Sequence, residues 1–148
     1  MIQKRKETPV DDLISLLIQA EIDGERLSEN ELLGFCILLL VAGNETTTNL
    51  ITNAVRLLTE QPHIAESVRQ DLSLIPQLTE ETLRYYPPVQ AIGRVAAEDV
   101  QIAGSHIEKG DYLISWVASA NRDERKFDDP DTFRLDRKSN PHLSFGFG

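Results

Sequence analysis

Apolar residues at Leu13, Ile14, Leu17, Ile18 and Ile22 recur at helical spacing. Thr8 as a cap, Pro9 at the first helical position and Asp11 reaching back to the cap predict where that helix starts, and Gly24 where it stops. A stronger start follows. Ser28 with Glu31 makes a capping box, and Leu27 is spaced to staple against Leu32 across it. With no proline before Pro62, the second helix is predicted to run to about Leu58, roughly 30 residues and about 45 Å. Its middle, Leu32 to Ala42, is apolar on nearly every side, the pattern of a rod buried from several directions. The polar run Ala42-Gly43-Asn44-Glu45-Thr46-Thr47-Thr48 then interrupts it. Local breaks of this kind often mark function.

Pro62 and Pro76 read as first-turn prolines of two more helices, His63 to about Asp71 and Gln77 to about Tyr85, the latter ended by Pro87-Pro88. The period then changes. Val100 and Ile102, the turn Ala103-Gly104-Ser105, Ile107, the turn Lys109-Gly110-Asp111, and Tyr112 to Val117 predict short strands and hairpins, with Trp116 in the core. Asn121 to Asn140 is charge-dense and aperiodic, a meander rather than an element. The sum is a mainly α chain with small β hairpins, read as a single domain over residues 1–148 with no boundary within it.

Composition narrows the class. The chain has 148 residues and a net charge of -9. That acidic balance argues against nucleic acid, whose binders show a basic face. One cysteine, Cys36, excludes an intramolecular disulfide and favours a reducing, cytoplasmic setting. The longest apolar run, Phe35 to Ala42, falls short of the roughly 20 residues that span a bilayer, so no membrane span is expected. His63, His106 and His142 lack metal-ligand spacing, so no metal site built from them is expected either.

Two groups of residues invite chemistry. Glu45 and Thr46 place an acid beside an alcohol behind the small residues Ala42 and Gly43, suited to a distorted helix that a flat ligand approaches closely. The same stretch also reads as a surface threonine run whose hydroxyls bond back to the preceding turn. Glu81 and Arg84 stand three apart on one helix face, which in isolation is an ordinary exposed pair. Order carries more than either group alone. Ala-Gly-x-Glu-Thr precedes Glu-x-x-Arg and Tyr-Tyr-Pro-Pro; Arg94, Phe127-x-x-Pro130-x-x-Phe133 and His142-Leu-Ser-Phe145-Gly-Phe-Gly148 follow.

In this order the sequence resembles the cytochrome P450 family, in particular its soluble bacterial members, along essentially the whole chain. The resemblance implies a partial cytochrome P450 fold of long central helix, Glu-x-x-Arg helix, short strands and meander. It implies haem b (iron protoporphyrin IX), dioxygen, a small apolar organic substrate and a ferredoxin- or flavodoxin-type electron donor. Ala42, Gly43, Glu45 and Thr46 then correspond to the oxygen-binding groove, the acid and alcohol relaying protons to dioxygen. Glu81 and Arg84 correspond to a buried structural ion pair, Arg94 and His142 to propionate partners, and Val89, Gln90, Ala91 and Ile92 to a substrate-contact loop. Phe145 and Gly148 match the start of F-x-x-G-x-x-x-C, whose cysteine thiolate binds iron and favours O–O cleavage.

The sequence also departs from the family pattern. The cysteine of that signature would fall four residues after Gly148, beyond the sequence, and Cys36 reads as an ordinary buried thiol. Thr132 stands where many members carry an arginine that joins Glu81 and Arg84, which leaves Arg134 or Arg137 to compensate. The expectation is therefore a fragment of a haem monooxygenase, inactive alone, with the rod Leu32 to Ala42 lacking its cover. The alternative is a non-catalytic remnant or helical interaction module that binds no haem productively.

Overall fold

The computed structural model describes residues 1–146, so Gly148 of the expected signature lies outside the described residues. The chain divides into two compact units, Met1–Glu45 and Thr46–Gly148.

The first unit opens with α1 (Ile2–Glu7) and α2 (Leu13–Gln19). The cap of α2 is Asp12 rather than Thr8, because the Asp12 carboxylate accepts the Ser15 N–H at 2.8 Å and is held in place by Arg5. Thr8 instead closes α1, its N–H bonded to Lys4 O. Both groups on Asp12 favour its charged form and hold its carboxyl below the usual carboxylate value, the Ser15 N–H foremost. The helix also stops earlier than Gly24. Strands β1 (Glu21–Ile22) and β2 (Glu25–Arg26) pair antiparallel across Asp23 and Gly24, whose φ values of +52° and +82° form the primed turn that Asp-Gly favours. That hairpin lies where the helical period of Ile18 and Ile22 predicted continued helix.

The helix α3 (Glu29–Glu60) has 32 residues, close to the expected span. Its capping box is formed: Ser28 N–H donates to Glu31 Oε2 at 2.8 Å and Glu31 N–H to Ser28 Oγ at 3.3 Å. The backbone stays α-helical through Gly43 and Thr48, so the distortion expected there does not break the helix. Leu32 is buried, but Leu33, Phe35, Ile37, Leu38, Leu40 and Val41 are each at least 40% exposed. The apolar rod, whose pattern predicts burial from several directions, is thus uncovered in this chain. Among the described residues α3 is the helix long and apolar enough, by length and composition alone, to cross a bilayer. The eight-residue apolar run understated that length.

The second unit holds α4 (Pro62–Gln70), a short 3-10 turn at Leu72–Leu74, and α5 (Ile75–Tyr85), with prolines in the first turns of both helices. Leu57, Ile64, Val68, Leu78 and Phe133 form its core. Strands β3 (Ile92–Val95) and β6 (Tyr112–Ser115) pair antiparallel around the hairpin β4 (Val100–Ile102) and β5 (Ser105–Ile107). Two expectations change here. Ile92 opens β3 rather than closing a loop, because its partner is Ser115 on a strand more than twenty residues away. Val117 begins the short helix α6 (Val117–Ala120), and Trp116 before it is 61% exposed rather than core. The meander after α6 contains no regular element but buries Asn121, Phe127 and Phe133.

Candidate functional site

The end of α5 organises the second unit. Glu81 and Arg84 are 1% and 0% exposed and joined through both carboxylate oxygens, at 2.8 and 2.7 Å. Isolated buried charges are costly, so every lone pair and proton should be engaged. Oε1 of Glu81 also accepts Arg137 Nε at 2.9 Å and the Arg134 N–H at 3.0 Å, while Oε2 accepts Asn140 Nδ2 at 3.2 Å. The remaining Arg84 donors reach Asn121 O, Pro130 O and Thr132 O. Arg137 therefore supplies the second guanidinium. Its own further donors end on Asp128 O, Asp129 O and Thr132 O, so Thr132 contributes a carbonyl to both arginines. The Arg134 side chain turns outward to Asp136 and contributes to Glu81 only through its backbone.

One turn beyond this cluster lies a recess of about 200 Å³, walled by Thr46, Thr47 and Leu50 of α3, Leu83, Pro88 and Val89 at the end of α5, and Ser144 and Phe145. Its walls are apolar with three hydroxyls. It brings Thr46, Val89 and Phe145 together, three residues singled out from sequence. Gln90 continues from Val89, its carbonyl accepting the Ala118 N–H at 3.1 Å, and Ala91 leads into β3.

The other singled-out residues have these surroundings. Glu45 is exposed and precedes Thr46 on α3. A Cβ built on Gly43 would meet nothing within 4 Å, so the helix presents open space there, and Ala42 beside it is exposed. Arg94, on β3, is exposed; among the described residues its side-chain hydrogen bond is to the neighbouring Gly93 O. The His142 side chain is 6% exposed, and Nδ1 accepts the Ser144 N–H at 3.3 Å. Its hydrogen therefore sits on Nε2, which faces Glu80 Oε2 at 3.0 Å. A propionate would compete with Glu80 for that proton.

Asn121 carries no local sequence signal, yet it is fully buried and ties the recess wall to the α5 cluster. The partners of its side-chain amide and backbone carbonyl lie 22 to 37 residues away, beyond any periodicity.

In the second unit the recess, apolar with three hydroxyls, suits an apolar group, and the Arg94 guanidinium suits an anion. Haem combines those two chemistries. Among the described residues no thiol stands in the second unit, the one cysteine being Cys36 on the first half of α3.

Known proteins resemble this chain over nearly its whole length. Cytochrome P450 109 of Bacillus spizizenii is 62% identical over 148 residues, covering 100% of this chain and 36% of that protein. Substrate-free CYP109E1 of Bacillus megaterium has a TM-score of 0.93 at 46% identity, over 99% of this chain and 38% of that one. The same protein in complex with testosterone gives 0.91, over 99% of this chain and 41% of that one. The chain thus spans little more than a third of the length of these relatives. With a family match that runs over residues 1–148, from α1 through the buried Glu81–Arg84 pair to Phe145, the chain belongs to the cytochrome P450 family.

Proposed function

We propose that the full-length protein carrying this sequence is a haem-thiolate monooxygenase that inserts one oxygen atom of dioxygen into an apolar organic substrate. Family membership implies a haem iron cofactor; we assign it as haem b. The observation that carries the reading is the recess where Thr46 and Thr47 face Val89 and Phe145. When bound, the haem supplies the one-electron and dioxygen chemistry.

This chain's own residues bind, orient and move protons. Arg94 would hold a carboxylate of the cofactor through a charge-assisted bond. Ala42 and Gly43 leave a helix face free for a flat group. Thr46 holds a hydroxyl at the recess as the last proton donor, and Glu45 exchanges protons with solvent. Neighbours on a helix diverge by about 100°, so a water between the two would complete the relay. Val89, Gln90, Ala91 and Ile92 form the substrate-contact wall. An apolar substrate suits them, and a relative of Bacillus megaterium binds testosterone.

Electrons come from a ferredoxin- or flavodoxin-type partner in the cytoplasm. We read α3 as a core helix rather than a membrane span, since Glu45 lies at its centre, where a charge is costly in hydrocarbon. The whole chain is read as part of one domain. The test is turnover of the full-length protein with a surrogate electron donor under isotope-labelled dioxygen. Product is expected to carry one labelled atom, the other appearing in water; product oxygen drawn from water would overturn the proposal.

A further inference from the structure

We propose that Asn121 is a positioning residue that sets the segment His142–Phe145 against the end of α5 and so fixes the approach to the haem ligand; this rests on the haem reading above. Asn121 is 0% exposed. Its Oδ1 accepts the Leu143 N–H at 2.7 Å and its Nδ2 donates to Ser144 Oγ at 3.0 Å, so one planar amide grips two successive residues. The Ser144 hydroxyl spends its single proton on Leu83 O at 2.6 Å, which makes it an acceptor towards Asn121. The Asn121 carbonyl in turn accepts Arg84 Nη1 at 3.0 Å. A single buried residue therefore connects the Glu81–Arg84 cluster, the end of α5 and the recess wall at Ser144 and Phe145.

The polarity of each bond is fixed, which makes the amide irreplaceable. Asn121→Asp keeps the shape but presents an acceptor to Ser144 Oγ. The hydroxyl must then abandon Leu83 O, or two acceptors must face each other in a buried site. Ser144→Ala removes the Nδ2 partner and the Leu83 bond while keeping Asn121 itself.

The test compares Asn121→Asp, Asn121→Leu, Ser144→Ala and the surface control Glu98→Gln in the full-length holoprotein. It reads amide exchange at Leu143 and Leu83, and the fraction of the ferrous carbon monoxide adduct with thiolate-type absorption. Losing one buried hydrogen bond corresponds to a roughly five- to thirtyfold change in a local equilibrium. Asn121→Asp keeps an acceptor for the Leu143 N–H, whereas Asn121→Leu removes it, so Leu143 should exchange faster by about that factor in Asn121→Leu, with Leu83 N–H, inside α5, unchanged. The thiolate-type fraction should fall in Asn121→Leu, Asn121→Asp and Ser144→Ala and hold in Glu98→Gln. Unchanged Leu143 exchange in Asn121→Leu, or an unchanged adduct in all three variants, would overturn the proposal. Faster Leu143 exchange in a protein that takes up no haem would uphold the anchoring and overturn the haem reading.

Discussion

Consider Arg137→Met in the full-length protein. The guanidinium makes four hydrogen bonds: one to the Glu81 carboxylate and three to the carbonyls of Asp128, Asp129 and Thr132. Asp128, Asp129 and Thr132 are exposed residues, so water can replace the lost donor at their carbonyls, and Thr132 O keeps Arg84. The Glu81 bond cannot be replaced in that way at 1% exposure. A hydrogen bond to a charged group contributes about 1.5–3 kcal/mol, so Arg137→Met should cost about 2–3 kcal/mol. Arg84→Met, which strips both carboxylate oxygens of their main partner, should cost about 3–5 kcal/mol. The decisive comparison is a double-mutant cycle of Arg137→Met with Glu81→Gln, read from urea midpoints at constant slope. Once Glu81 is neutral, most of the cost of losing Arg137 should vanish, giving a coupling of about 1–3 kcal/mol. A loss below about 0.5 kcal/mol, the range of ordinary surface substitutions, or a coupling of zero would refute the assignment of Arg137 as the second buried guanidinium.

Other consequences follow from single groups. Thr46→Ala in the full-length protein should lower product formed per electron pair consumed, because proton delivery is impaired; oxygen uptake set against product reads the ratio, and unchanged coupling would remove Thr46 from the relay. Ser28→Ala should cost about 1 kcal/mol through loss of the capping box, seen as a lower urea midpoint; an unchanged midpoint would mean the first turn of α3 needs no cap. Arg125, through its side chain and then its backbone N–H, holds the Asp123 carboxyl down at about 2 against an ordinary 3.8. Its contribution is therefore complete above about 3.8 and is lost as pH falls towards 2. Carboxyl titration by NMR should find that low midpoint and see it rise in Arg125→Gln; a midpoint near 3.8 in the unaltered protein would contradict the contact.

Most elements were legible because their signals are local. Ser28 with Glu31, Pro62 and Pro76 mark helix starts through side chains within a turn of the backbone they satisfy. Where two local signals competed, the sequence misled: Thr8-Pro9 resembles a helix start, but Asp12 wins because it has both the Ser15 N–H and Arg5 to hold it. The Asp-Gly turn at Asp23 was masked by the helical spacing of the residues before it. Strand β3 was hidden because its partner β6 lies across a whole hairpin. At the site, the motif order singled out Thr46, Val89 and Phe145 separately, and the structure brings them to the walls of one recess. The choice of Arg137 over Arg134 depends on which side chain turns inward from an aperiodic meander, and Asn121 on partners in α5 and near the end of the chain. Neither has a period to read.

Whether these residues belong to a haem-thiolate oxygenase is read from the absorption spectrum of the full-length protein, reduced and exposed to carbon monoxide. The protein should contain haem, and its adduct should show the red-shifted Soret band of thiolate ligation. A haem adduct of imidazole type, or a folded full-length protein that takes up no haem, would contradict that reading.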